Sequence, residues 1–136
     1  MGPVALVTNE IEDGEKLIER LVQDGVKVKA AAWIKREEDF RWRLYLALPG
    51  VERKGSADAY QRIGEILRQM PQPILIESGE TKIIDAKDPL AVAVAEYERK
   101  YAGRGLLRYK GDRLGSEYIE GAYIYPAVTA TPSPPE

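Results

Sequence analysis

Apolar side chains recur at helical spacing from Asn9 to Asp24: Ile11, Leu17, Ile18, Leu21 and Val22 gather on one side of a 3.6-residue wheel. Asn9 stands at the N-cap position with Glu12 at the capping-box spacing. Glu10, Glu12, Asp13 and Glu15 place negative charge at the positive end of the helix dipole. Gly25 is the stop signal. The pattern then changes to a period of two. Val26, Val28, Ala30, Ala32 and Ile34 alternate with Lys27, Lys29, Ala31, Trp33 and Lys35; Phe40, Trp42, Leu44, Leu46 and Leu48 alternate with Arg41, Arg43, Tyr45 and Ala47. The charged connection Lys35-Arg36-Glu37-Glu38-Asp39 predicts an antiparallel hairpin. One of its faces is apolar, and the other carries Lys27, Lys29, Trp33, Lys35, Arg41, Arg43 and Tyr45.

Ser56 caps a second predicted helix whose buried stripe is Tyr60, Ile63, Ile66, Leu67 and Met70, ended by Pro71 and Pro73. Ile74–Glu77 and Thr81–Asp85 read as short strands around Ser78-Gly79, in the manner of a tight hairpin. Asp88-Pro89 gives an N-cap followed by proline at the first helical position, and Leu90, Val94, Tyr97 and Tyr101 continue a third helix. Leu106–Lys110 and Tyr118–Tyr125 are the last strands, joined by a loop containing Gly111, Asp112 and Gly115. Val4–Thr8 reads equally as a strand or as a lead into the first helix.

Helices therefore alternate with hairpins rather than with single strands. This order predicts an α+β two-layer sandwich, a mainly antiparallel twisted sheet with about three helices on one face. Residues 1–126 make one domain, and residues 127–136 a Pro-rich C-terminal tail of extended polyproline character.

Composition narrows the chemistry. Among 136 residues there is no Cys and no His. Disulfides, thiolate zinc sites, iron–sulfur clusters, cysteine nucleophiles and His-based triads are thereby excluded. No cofactor is expected. No apolar run approaches the roughly 20 residues of a membrane helix, and MGPVALVTNE lacks a basic n-region. A soluble, cytoplasmic protein without membrane contact is expected.

Net charge is −2, but the charge is segregated. Residues 27–54 hold eight Lys and Arg against four Asp and Glu, and residues 98–113 hold six against two. If both blocks share one sheet, Lys27, Lys29, Arg41, Arg43, Arg108 and Lys110 lie on an open face with Trp33, Tyr45 and Tyr109. Trp, Tyr and Arg are enriched in binding hot spots. The leading expectation is a non-catalytic protein-interaction or assembly module, its partner another protein or a second copy. Trp33 and Tyr45 would be its anchors, and Lys27, Lys29, Arg41 and Arg43 would steer. The alternative is single-stranded nucleic-acid binding by the same face, with phosphate attraction and base stacking combined.

An enzyme would have to work with carboxylates, Lys, Arg, Tyr, Ser and Thr. Ile83-Ile84-Asp85-Ala86-Lys87 resembles the D/E-x-K half of the restriction-endonuclease-like nucleases. That resemblance implies Mg²⁺-dependent cleavage with Asp85 and Glu77 on the metal and Lys87 beside it. It covers about a dozen residues, and no Pro-Asp stands upstream of Asp85. The plainer reading is a solvated turn leading to the Asp88 cap. Gly103-Arg104-Gly105 and Gly111–Ser116 precede strands, the wrong order for a phosphate loop. Tyr97 and Tyr101, spaced four apart, read as core or core-edge residues.

Overall fold

A computed structural model describes residues 8–38, 41–70 and 80–126. Helix α1 (Thr8–Gln23) starts one residue before the expected cap, and the Asn9 side chain lies outside what is described. Strands β1 (Ala30–Lys35) and β2 (Arg43–Leu48) follow, then a single turn α2 (Val51–Lys54) and helix α3 (Ala57–Gln69). Strand β3 (Thr81–Asp85) leads to α4 (Pro89–Lys100), where Asp88 accepts a hydrogen bond from the Leu90 N–H and Pro89 opens the helix as its sequence requires. The described residues close with β4 (Leu107–Tyr109), β5 (Asp112–Leu114), β6 (Glu117–Ile119) and β7 (Gly121–Ile124). The expected strand at Ile74–Glu77, the Val4–Val7 segment and the Pro-rich tail 127–136 lie outside the described residues.

The α+β class and the mainly antiparallel sheet are as expected. Five strands run in the order β3-β2-β1-β7-β4. Among the described strands only β2–β3 is parallel, which is why α2 and α3 intervene: a parallel neighbour needs a crossover rather than a tight turn. Tyr118–Tyr125, expected as one strand, is two. β6 pairs with β5 in a separate two-stranded hairpin, and β7 enters the main sheet between β1 and β4.

Helices occupy both faces of the sheet. α1 and α3 cover the face of Trp33, Leu44, Leu46 and Ile83, joined there by Leu17, Leu21, Ile63 and Ile66. α4 does not join them, contrary to the one-face expectation. Leu90 and Val94 pack on the opposite face against Ala32, Ile34, Tyr45, Ala122 and Ile124, beside Leu114 and Ile119 of the small hairpin. The reason is register. A five-residue connection would set Ile34 opposite Phe40 and collect both apolar sets on one face. The observed pairs are Ile34↔Arg43, Trp33↔Leu44 and Ala32↔Tyr45. Eight residues therefore separate the last pair, and this odd shift carries the apolar set of β2 to the face opposite that of β1. Both faces of β1 and β2 then need cover, and the alanines on the α4 side let that helix approach closely.

Candidate interaction surface

The contact face expected on the first hairpin is not formed. Trp33 is 0% exposed beneath α1, and Tyr45 is 3% exposed on the opposite face. Neither can anchor a partner. Their cations part company as well. Lys27 and Lys29 are exposed before β1, whereas Arg41 and the partly buried Arg43 lie at the start of β2. In an antiparallel pair these are opposite ends: at about 3.4 Å per residue even Lys29 and Arg43 stand roughly 17 Å apart along the strands. Arg41 lies 3.8 Å from Glu80. Arg108 does not join Tyr109 either: its guanidinium stacks 4.4 Å from the Tyr123 ring and donates to the Tyr109 and Ala122 carbonyls, while Lys110 is exposed.

Trp33 is instead part of a core linkage. Its indole Nε1–H donates to the Tyr125 hydroxyl at 2.9 Å, and that hydroxyl donates to the Ile11 carbonyl of α1 at 2.6 Å. Burial raises the Tyr125 pKa, against the lowering effect of the Trp33 hydrogen bond, with Glu15 and Asp13 adding to the rise.

Asp85 has a structural role that its sequence neighbours did not announce. One carboxylate oxygen accepts the Glu52 N–H of α2 at 2.7 Å, the other the Lys87 N–H at 2.8 Å. These two bonds lower its pKa against the opposing effect of desolvation. Lys87 is exposed, and Glu77 lies outside the described residues. The carboxylate thus clamps the α2 turn to the end of β3.

A basic and aromatic surface does exist, at the other end of the chain. Tyr97 of α4 and Tyr101, which caps its C-terminal end, hold their rings 4.8 Å apart. Tyr109 of β4 meets Tyr97 edge-on at 5.2 Å. The Lys100 ammonium and Arg104 guanidinium lie 5.7 and 5.6 Å from the Tyr101 ring centre. Across the small hairpin, Arg113 stacks on Tyr118 at 4.8 Å and donates to its hydroxyl at 3.1 Å. Tyr118 is 57% exposed. A shallow groove of ≈ 390 Å³ runs among Glu96, Tyr97, Lys100, Tyr109, Arg113 and Leu114.

Two glycines make this surface possible. Gly111 turns the chain from β4 into β5 with φ +93°, and a Cβ there would stand 2.8 Å from the Glu120 carbonyl. Gly115 begins the two-residue turn between β5 and β6 with φ +65°, its Cβ position 2.9 Å from Ala93 of α4. The hairpin is pinned by Arg36, which pairs with Glu117 and Glu38. Partial burial works against the Arg36 charge, but the Tyr45 hydroxyl and the two carboxylates outweigh it and raise its pKa. Lys35 adds an ion pair to Glu120 at 3.2 Å. The net-positive block at 98–113 and the tyrosines were both legible; what joins them is the packing of β5 and β6 beside α4.

Comparison with protein-family models, with curated proteins and with solved structures gave no match. No described helix is long and apolar enough to cross a membrane.

Proposed function

We propose that the protein is a non-catalytic interaction module that docks a protein partner on the tyrosine–arginine surface of α4, β4 and the β5–β6 hairpin. The supporting observation is Tyr118, a large aromatic more than half exposed, with Arg113 held on its ring and at its hydroxyl. Tyrosine and arginine are the side chains that dominate binding hot spots. Here they are already ordered against each other, so less rotamer freedom is lost on docking. Glu96 lines the groove beside Lys100 and Arg113 and offsets their charge, which suits a mixed-charge protein surface better than a run of phosphates.

A second reading, single-stranded nucleic acid along the groove, is favoured by Lys100 and Arg113 flanking Tyr97 and Tyr109. Against it, Lys100, Arg104 and Arg113 already sit on tyrosine rings whose faces a base would need.

The two are separated by one set of proteins: wild type, Tyr118→Ala and Arg113→Ala. Affinity capture followed by titration of the captured partner should show each variant weakened by about 2 kcal/mol or more, roughly 30-fold. Undiminished capture by both variants would remove the proposal. Salt-sensitive binding of labelled oligonucleotides, lost in Lys100→Glu, would transfer the surface to the second reading.

A further inference from the structure

Away from that surface, β1 begins beside a recess that no role described so far uses. Its volume is ≈ 150 Å³, on the order of five waters at about 30 Å³ each, the bulk of a small aliphatic molecule. Ala30, Ala31, Val94 and Ala95 give it an apolar interior, and their short side chains are what leave it open. Its rim is charged. Lys29 comes from the β1 side, and Glu98 and Arg99 from α4, each one helical turn beyond Val94 and Ala95 respectively. None of these three charged groups forms an ion pair with a described residue. Pro126 borders the recess where β7 ends; lacking an N–H, it cannot extend the ladder along β1.

From this arrangement we infer a binding site for a small aliphatic α-amino acid. The carboxylate is held by Arg99 and Lys29, the ammonium by Glu98, and the branched side chain enters the alanine- and valine-lined interior. A simple carboxylic acid leaves Glu98 unanswered, and a simple amine meets two cations with one carboxylate. The zwitterion alone satisfies both signs at the rim while filling the interior.

The test is titration of the full chain with L-valine, isovalerate and isobutylamine, followed by NMR chemical-shift perturbation of the α4 and β1 amides. L-valine should saturate with shifts centred on Ala30, Ala95 and Glu98, and the two single-charge analogues should bind about tenfold more weakly or less. Glu98→Gln, a surface change, should weaken L-valine by about tenfold and bring it level with isovalerate. Ala95→Leu, which fills the recess, should abolish binding with the α4 amides still dispersed as in the folded protein. Absence of saturable L-valine binding in the millimolar range overturns the inference. So does isovalerate binding as tightly as L-valine, or L-valine binding that Glu98→Gln leaves unchanged.

Discussion

A methyl group added at Gly14 would meet the Tyr125 hydroxyl and stand 2.9 Å from Trp33 Nε1. Elsewhere in a helix interior Gly→Ala gains about 1 kcal/mol. Here the intrusion breaks the Trp33–Tyr125 bond and forces overpacking, which costs about 1–3 kcal/mol. Gly14→Ala should therefore lower stability to chemical denaturation, and an unchanged or raised midpoint would mean that the linkage shifts at no cost. Tyr125 itself carries a pH signature. Its pKa is raised in the folded protein above the ordinary 10.0. The folded state thus keeps a proton that the unfolded state releases. That contribution is full below about pH 10 and falls as pH rises, by at most about 1.4 kcal/mol per pH unit. Tyr125→Phe should lose about 1–3 kcal/mol near neutrality, because Trp33 Nε1–H is left buried without its acceptor. Its stability should also decline less steeply between pH 10 and 12 than that of wild type. Parallel alkaline slopes would show that Tyr125 titrates as freely folded as unfolded.

At the scale of elements, α1, α3, β3 and α4 were legible because their signals are local: a 3.6-residue stripe, Gly25 after α1, Asp88-Pro89 before α4. The register of β1 against β2 was not. It depends on whether five or eight residues form the connection, and the charged residues there fit either length. One position of slip decides whether Trp33 and Tyr45 share a face. β5 escaped notice for another reason: three residues between glycines hold too little alternation to read. The β5–β6 hairpin is held by Leu114 and Ile119 on the α4 side and by the Arg36–Glu117 ion pair. Glu117→Gln should lower amide exchange protection in β5 and β6 well before β1 or β2 respond. Because the pair is partly exposed, global stability should change by less than about 1 kcal/mol. A uniform loss of protection across the sheet would show that hairpin and sheet unfold as one unit.

For the molecule as a whole, covering both faces of the central strands leaves accessible aromatics at the periphery of the sheet rather than on it. No aromatic of β1 or β2 is available, and the proposed docking surface therefore lies on α4 and the small hairpin, whose tyrosines are partly exposed. The basic character of that region was readable from residues 98–113, and the tyrosines from their spacing. Their meeting was not, since it requires β6 to fold back beside α4 before the chain returns to the sheet as β7.

The place of β7 also sets an order in time. It is the last described strand to be synthesised, yet it lies between β1 and β4, and Trp33 waits 92 positions for its Tyr125 partner. A growing chain therefore presents β1 with one edge bare until residues 121–125 emerge, the condition in which strands find wrong neighbours. A chain stopped after Glu120 should remain open to limited proteolysis at concentrations where the full chain resists. Resistance of that shortened chain would show that α1, α3 and the first three strands make a stable unit on their own. Otherwise every copy passes through a vulnerable interval that ends only as β7 is delivered.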